Sequence, residues 1–398
     1  MMRVIVTILA SLLILIVLIL IVWSAAHLFT GSSQWARAIA WLDSGVNDYK
    51  RFPTRPVANA PPVFNFQEPS AEIRSRYSGA FESIRYPKNG KEVAYPFEKL
   101  LRQTGTLAFI VIKNDTVLYE RYFDGCRRDS TVTSFSIAKS FLSTLVGVAI
   151  AEGYIGSVED SVTKYVPELS TKDLRYKNVT LRDLLTMSSG IRYEEGFTPW
   201  SDDAATYYSP NLRTVALSSP IVEEPGKRFK YNNYNALLVG LVLERATKRS
   251  VALYLEEKIW KPLGMEAPGS WSLDGDRDGF EKMESGINGR AIDFAKFGRL
   301  FLNNGNWNGR QLIPAAWVDE STRVDTSTAL VPYYRYFWWV NAKQKEKHHF
   351  FAAGNHGQYI YLIPEQGLLM VRFGRTDPGR QFPRIMETLA AAIGEQSR

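Results

Sequence analysis

The stretch Phe135-Ser136-Ile137-Ala138-Lys139-Ser140-Phe141 opens an apolar run that continues to Glu152 and stops at Gly153. Its apolar residues recur at helical spacing and glycine is a common helix stop, so the pattern predicts a helix over residues 135–152. What lies on either side decides the fold. Before it, residues 106–112 and 116–123 are β-rich runs parted by Lys113-Asn114-Asp115, which reads as a hairpin. After it, helical patterns over 181–187, 235–247, 253–260 and 291–302 alternate with loops. Strand patterns return at 336–341, 348–353, 358–363 and 368–373, and a helical pattern over 382–393 follows them. Strands thus come from both ends and helices from the middle. The expected fold class is α+β, an α/β sandwich in which distant segments complete one antiparallel sheet flanked by helices. A mostly helical insertion would occupy about residues 150–330.

Farther out, residues 4–23 carry no charge and are broken only by Thr7 and Ser11. At ~1.5 Å per residue, such a helix is about 30 Å long and matches the hydrocarbon core of a bilayer. A cleaved signal peptide ending near Ser24-Ala25-Ala26 is the alternative, but its apolar region is normally about 7–15 residues. We therefore expect an uncleaved single-pass anchor over residues 1–29. Arg3 and the free amine before the span would keep the N-terminus in the cytoplasm and place the rest on the periplasmic or extracellular side of the cell membrane. Residues 30–96 are interrupted by Pro53, Pro56, Pro61, Pro62, Pro69, Pro87 and Pro96. They read as a tether and wrapping arm with a short helix near 70–83, leaving 97–398 as the catalytic domain.

Composition narrows the chemistry. The 398 residues are 45 % hydrophobic and 22 % charged, which is globular, and the net charge is +7. No basic run exceeds two residues (Lys50-Arg51, Arg127-Arg128, Lys227-Arg228), so the clustering that nucleic-acid binding needs is missing. Cys126 is the sole cysteine, which excludes an internal disulfide and a cysteine-based zinc site. His27, His348, His349 and His356 do not have the helical spacing of a metal-binding pair. No metal and no cofactor are expected. There is no G-x-S-x-G, the turn that carries the nucleophile of α/β-hydrolases.

Ser-x-x-Lys occurs twice. Ser161-Val162-Thr163-Lys164 follows Glu159-Asp160 and precedes Val166-Pro167, a loop setting with nothing to activate a hydroxyl. Ser136-Ile137-Ala138-Lys139 opens the best helix in the chain. Residues i and i+3 share one helix face, so the Lys139 ammonium can reach the Ser136 oxygen. The helix start adds N–H groups and positive potential suited to developing negative charge. Farther on, Tyr231-Asn232-Asn233 precedes a helical pattern. A tyrosine hydroxyl titrates near pH ~10 in water and is a poor base, but an ammonium beside it would stabilise the phenolate. Near the end, Gly354-Asn355-His356-Gly357-Gln358 leads into a strand, and glycine there lets backbone approach a substrate.

In this order, Ser136-x-x-Lys139, Tyr231-x-Asn233 and Asn355-His356-Gly357 resemble the serine β-lactamase and DD-peptidase superfamily, in its class C and esterase branch. The flanking segments Val179–Gly190 and Trp260–Met265 are similar to that family's text. Ala291–Gly298 and Gly354–Pro364 look like the 6-aminohexanoate-dimer hydrolases. The resemblance covers about residues 105–393. It implies a serine hydrolase acting on a small-molecule ester, amide or short peptide through an acyl-enzyme on Ser136. Tyr231 with Lys139 would handle the proton, the N–H groups of Ser136 and Gln358 would bind the oxyanion, and Asn233 would position the substrate. One departure matters: the third element usually begins with lysine, whose charge holds a substrate carboxylate, and this chain has Asn355 and His356. β-Lactamase or D-alanyl-D-alanine carboxypeptidase activity is thus the second reading. A triad of Ser136, an aspartate and His356, and a binding or sensing protein that is acylated without turnover, stay open beside it. Trp200, Tyr207, Tyr208, Trp338 and Trp339 are candidate pocket aromatics. The sequence does not assign an oligomeric state.

Overall fold

A computed structural model describes residues 2–88, 91–196, 198–276, 278–325, 330–341 and 348–397. Seven strands form one antiparallel sheet, in the order Tyr334–Arg335, Trp338–Val340, Phe350–Gly354, Gln358–Ile363, Leu368–Gly374, Thr106–Lys113, Thr116–Tyr122. The hairpin from the first part of the domain is thereby joined to five strands from its end, and Leu368 pairs with Lys113 at the seam. Thr106–Lys113 is buried along almost its whole length because it sits inside the sheet with both faces covered. Side chains alternate between those faces. Ile110 and Ile112 enter the core made with the helices Ile137–Ala151 and Ala291–Leu302. Phe109 and Val111 enter a second core with Phe97–Gln103 and Phe382–Glu395. Each such side chain, fully buried, stabilises the fold by about 1.5–3 kcal/mol. The fold is the expected α+β class, with helices such as Leu181–Leu185, Asp202–Tyr208 and Asn233–Thr247 inserted between the two halves of the sheet.

Two expectations change. The strand predicted over 336–341 is split into Tyr334–Arg335 and Trp338–Val340, because Tyr336 and Phe337 take φ of +38° and +65°. The helix predicted over 253–260 is Val251–Leu255 followed by a wider π turn, Glu256–Trp260. The residues expected as a tether and wrapping arm carry regular elements of their own. They supply the helix Gln34–Trp41, the helix Ala71–Tyr77, a hairpin of Ser83–Lys88 with Lys91–Pro96, and the strand Thr54–Val57. That last strand pairs with Gly269–Ser272 and begins a second sheet that ends on Val132–Thr133, just before Ser136.

At the N-terminus, Met2–Leu28 is a single helix. An 18-residue window within its residues 7–28 has a mean hydropathy of 3.0 and none of that window is buried, so the helix is long and apolar enough to cross a membrane. A signal sequence meets the same description.

Candidate active site

Ser136 stands where the second sheet turns into the helix Ile137–Ala151. The strand Val132–Thr133 pairs with Ile287–Gly289, and the Ser134 N–H donates to the Ile287 carbonyl at 2.9 Å. Phe135 then takes φ +49°, a conformation that costs a bulky L-residue about 1–3 kcal/mol and persists only where the surroundings impose it. The reversal delivers Ser136 to the head of the helix. The Ser136 N–H finds no acceptor among the described residues.

Lys139 lies one turn on, with 1 % of its surface exposed. Its Nζ donates to Ser136 Oγ at 3.0 Å and to the Glu284 carbonyl at 2.9 Å. The Tyr231 ring centroid is 5.1 Å from the same nitrogen. Tyr231 is fixed by stacking on Trp339 (6.0 Å between centroids) and by an edge contact with Tyr334 (5.9 Å). Its neighbour Asn232 caps the helix Asn233–Thr247, accepting from the Tyr234 N–H, and donates to the Ile191 carbonyl. Asn233 Nδ2 donates to the Tyr193 hydroxyl at 2.8 Å and to Thr206 Oγ1 at 3.2 Å.

The third element approaches from the sheet. A Cβ on Gly354 would sit 2.4 Å from the Ser134 carbonyl oxygen, so glycine is what lets the strand Phe350–Gly354 press against the turn that carries Ser136. His356 takes φ +60°, its ring lies 5.0 Å from that of Phe135, and its Nε2 is 3.1 Å from Ser44 Oγ in the arm. Ser136, Lys139, Tyr231 and the Asn355–Gly357 turn are thus assembled around one helix N-terminus.

The beta-lactamase family profile matches residues 97–395. This chain belongs to the beta-lactamase family. A 6-aminohexanoate-dimer hydrolase of Paenarthrobacter ureafaciens is 27 % identical over 296 residues, covering 69 % of this chain and 74 % of that one. Among solved structures, a Bacillus anthracis protein provisionally assigned as a 6-aminohexanoate-dimer hydrolase superposes with a TM-score of 0.76 at 24 % identity, covering 89 % of this chain and 95 % of that one. An octameric penicillin-binding protein homologue from Pyrococcus abyssi gives 0.60 at 20 % identity, over 75 % and 76 % of the two chains. The two structures carry the fold; the family match and the curated relative make this chain a serine hydrolase.

Within this beta-lactamase-family site, one expected donor must be replaced. Gly354 pairs with Gln358 across a three-residue turn. Antiparallel pairs alternate between mutually bonded and unbonded kinds. The unbonded kind would require Asn355 to bond Gly357 inside the turn, so the pair is the bonded kind and the Gln358 N–H serves the Gly354 carbonyl. The Gln358 side chain also faces inward, with Nε2 on the carbonyls of Gly374 (2.6 Å) and Asn355 (3.1 Å). Gln358 is a structural residue. The Gly354–Asn355 peptide is trans, so its Asn355 N–H points opposite to its Gly354 carbonyl. That N–H has no acceptor among the described residues. Gly357 passes so close to Arg372 that a Cβ would lie 2.1 Å from Nη1, and the Gly357 carbonyl accepts from it at 2.6 Å. Burial among carbonyls and against Phe382 lowers the Arg372 guanidinium to about 9.

A buried polar group stands behind Lys139. Glu284 pairs with Lys282 at 3.2 Å and accepts from Ser285 at 2.6 Å. Lys282 Nζ donates to the Tyr207 carbonyl and lies 4.0 Å from the Tyr207 ring centroid. The Tyr207 hydroxyl donates to Asp48 of the arm at 2.6 Å, and the ring stacks on Phe135. Burial lowers the Lys282 ammonium, and burial ahead of the Asp48 charge raises the Tyr207 hydroxyl.

Neither the triad nor the second Ser-x-x-Lys is assembled for catalysis. Ser136 Oγ is bonded to Lys139 and His356 Nε2 to Ser44. Ser161 caps a short turn by accepting from the Thr163 N–H, and Lys164 pairs with Asp160. Of the candidate aromatics, Tyr207 and Trp339 adjoin the site, Trp338 is core, Tyr208 packs on Trp41 and Trp200 lies against Trp35 at the surface. Phe135, Asp48 and the Glu284 carbonyl escaped the sequence reading. A positive φ at Phe135 and a backbone carbonyl leave no signal in the sequence.

Proposed function

We propose that this chain is a membrane-anchored serine hydrolase that cleaves an ester, amide or short peptide bond through an acyl-enzyme on Ser136. The observation that carries the reading is Lys139 Nζ, held between Ser136 Oγ and the Glu284 carbonyl with the Tyr231 ring beside it. Ser136 Oγ attacks the substrate carbonyl carbon while the Tyr231 phenolate, beside the Lys139 ammonium, takes the hydroxyl proton. The carbonyl oxygen becomes an oxyanion facing the N–H groups of Ser136 and Asn355; one such donor typically stabilises the transition state by about 3–4 kcal/mol. The carbon–heteroatom bond then breaks and the leaving alcohol or amine takes the proton from Tyr231. Water repeats the sequence in reverse and frees Ser136. Asn233, with its amide nitrogen engaged by Tyr193 and Thr206, offers its carboxamide oxygen to a substrate N–H.

Amides and esters are favoured over β-lactams because the third element, from Phe350 to Gln358, has no lysine whose fixed ammonium would hold a carboxylate. A charge-assisted hydrogen bond of that kind is worth about 1.5–3 kcal/mol, roughly one to two powers of ten in kcat/KM. The relative named for a 6-aminohexanoate dimer supports an amide-bond substrate. The apolar Met2–Leu28 helix supports the anchor, with residues 97–398 as the catalytic domain on the periplasmic or extracellular side and residues 30–96 as its arm. A panel of p-nitrophenyl esters, short linear amides, D-Ala-D-Ala peptides and nitrocefin tests the substrate class. Esters or amides are turned over fastest; nitrocefin turnover above that of a short-chain ester would contradict the assignment.

A further inference from the structure

The surface beside the end of the apolar helix holds an aromatic pair that the fold leaves in the open. Trp35, in the helix Gln34–Trp41, and Trp200, from a distant loop, lie 6.0 Å apart between ring centroids. They are 50 % and 69 % exposed, and Leu28 and Phe29 beside the span are 82 % and 58 % exposed. The two segments are fastened together, since Gln34 Nε2 donates to the Pro199 carbonyl at 3.1 Å. Arg37, itself 3 % exposed, ties the span to the domain: its Nε donates to the Thr30 carbonyl at 2.6 Å and its Nη1 to the Asp274 carbonyl at 2.7 Å. The patch therefore has a fixed place relative to the exit of the Met2–Leu28 helix.

We infer that Trp35, Trp200 and Phe29 seat the catalytic domain on the surface of the bilayer that the Met2–Leu28 helix crosses, an inference that rests on the anchor reading above. Tryptophan and other aromatic rings settle at the membrane interface, where an apolar body and a polar edge are both satisfied. The patch is continuous with the span in sequence and in space. Its open tryptophan area, about 300 Å² if each ring contributes in proportion to its exposure, is well below the ~800 Å² per partner of a stable protein interface. A second copy of the chain is therefore the poorer occupant. The seat brings the cleft to the bilayer: the helix Gln34–Trp41 is about 12 Å long, and Ser44 just beyond it meets His356 of the third element. Substrate would then enter from the interface.

The test uses the full chain in phosphatidylcholine–phosphatidylglycerol vesicles, with Cys126→Ser and a nitroxide on Thr198→Cys, an exposed neighbour of the pair. Power-saturation spectroscopy compares collision with oxygen, which concentrates in the bilayer, against collision with a water-soluble nickel chelate. The inference expects the label to be oxygen-accessible and shielded from nickel, and a Trp35→Ser/Trp200→Ser double variant to restore nickel access several-fold. A nickel-accessible label on protein that resists carbonate extraction overturns the seat and leaves the anchor standing. Release by carbonate overturns both. A label shielded from both reagents means that protein covers the patch, and also overturns the inference.

Discussion

Phe135 precedes Ser136 at φ +49° and its ring meets both Tyr207 and His356, so one residue joins the insertion and the third element at the turn before Ser136. At the same scale, Tyr231 is held by its ring, while the proposed mechanism uses its oxygen. Tyr231→Phe keeps the stacking on Trp339 and the edge contact with Tyr334. It should therefore fold with wild-type thermal stability while kcat falls by about 10²–10⁴, the usual contribution of a positioned proton acceptor. Stopped-flow acylation with a p-nitrophenyl ester, beside a melting curve, checks both halves. Ser136 and Lys139 were legible because i,i+3 spacing on a helix is a local rule. The free backbone donor beside them was not, because finding the Asn355 N–H open and the Gln358 N–H engaged requires the register of a hairpin, which the residues on either side of a turn do not reveal. Glu284 was invisible for a simpler reason: it acts on Lys139 through a carbonyl, which every residue has.

At the scale of elements, periodicity located the hairpin, the Ile137–Ala151 helix and the late strands, and failed where φ changes sign. Tyr336 and Phe337 look like strand residues but take positive φ. They are held there by the Phe337 N–H on the Leu185 carbonyl (3.1 Å) and by Ser140 Oγ on the Phe337 carbonyl (2.8 Å). Tertiary contacts override the pattern. The same region is fastened by charge. Glu320, in the helix Ala315–Thr322, pairs with Arg323 (2.8 Å), Arg182 (3.2 Å) and Arg335 of the strand Tyr334–Arg335. Partial burial works against its carboxylate, yet hydrogen bonds and charge from Arg323 and Arg335 outweigh it and lower Glu320 to about 2. A carboxylate lowered in the folded state stabilises above its ordinary range, and that stability is lost as pH falls from about 4.5 through about 2. The shift corresponds to about 3 kcal/mol at most. Glu320→Gln should lower stability at pH 7 and flatten the loss between pH 4.5 and 2, read by urea unfolding at a series of pH values.

At the scale of the whole molecule, the N-terminal arm reaches the residues around Ser136. Ser44 reaches His356, Asp48 reaches Tyr207, and Thr54–Val57 starts the sheet that leads to Ser136. Proline-rich sequence read as a tether because the strand has four residues, includes Pro56 and buries only Val57, too little to raise a period-two signal. With Arg37 binding the end of the apolar helix to the domain, the cleft would be held at a set distance from the membrane. Carbonate-washed membranes should therefore retain the full chain, with protease reaching the domain from the outer side; a soluble product starting near Ala26 would mean that the helix is a cleaved signal. All of this serves one claim about chemistry, that an acyl group is carried on Ser136. The direct measurement is peptide-mapping mass spectrometry of the protein quenched during turnover of a p-nitrophenyl ester and after a fluorophosphonate probe. The adduct should lie on the peptide containing Ser136 and disappear in Ser136→Ala. An adduct on Ser161, or labelling that survives Ser136→Ala, would contradict that claim.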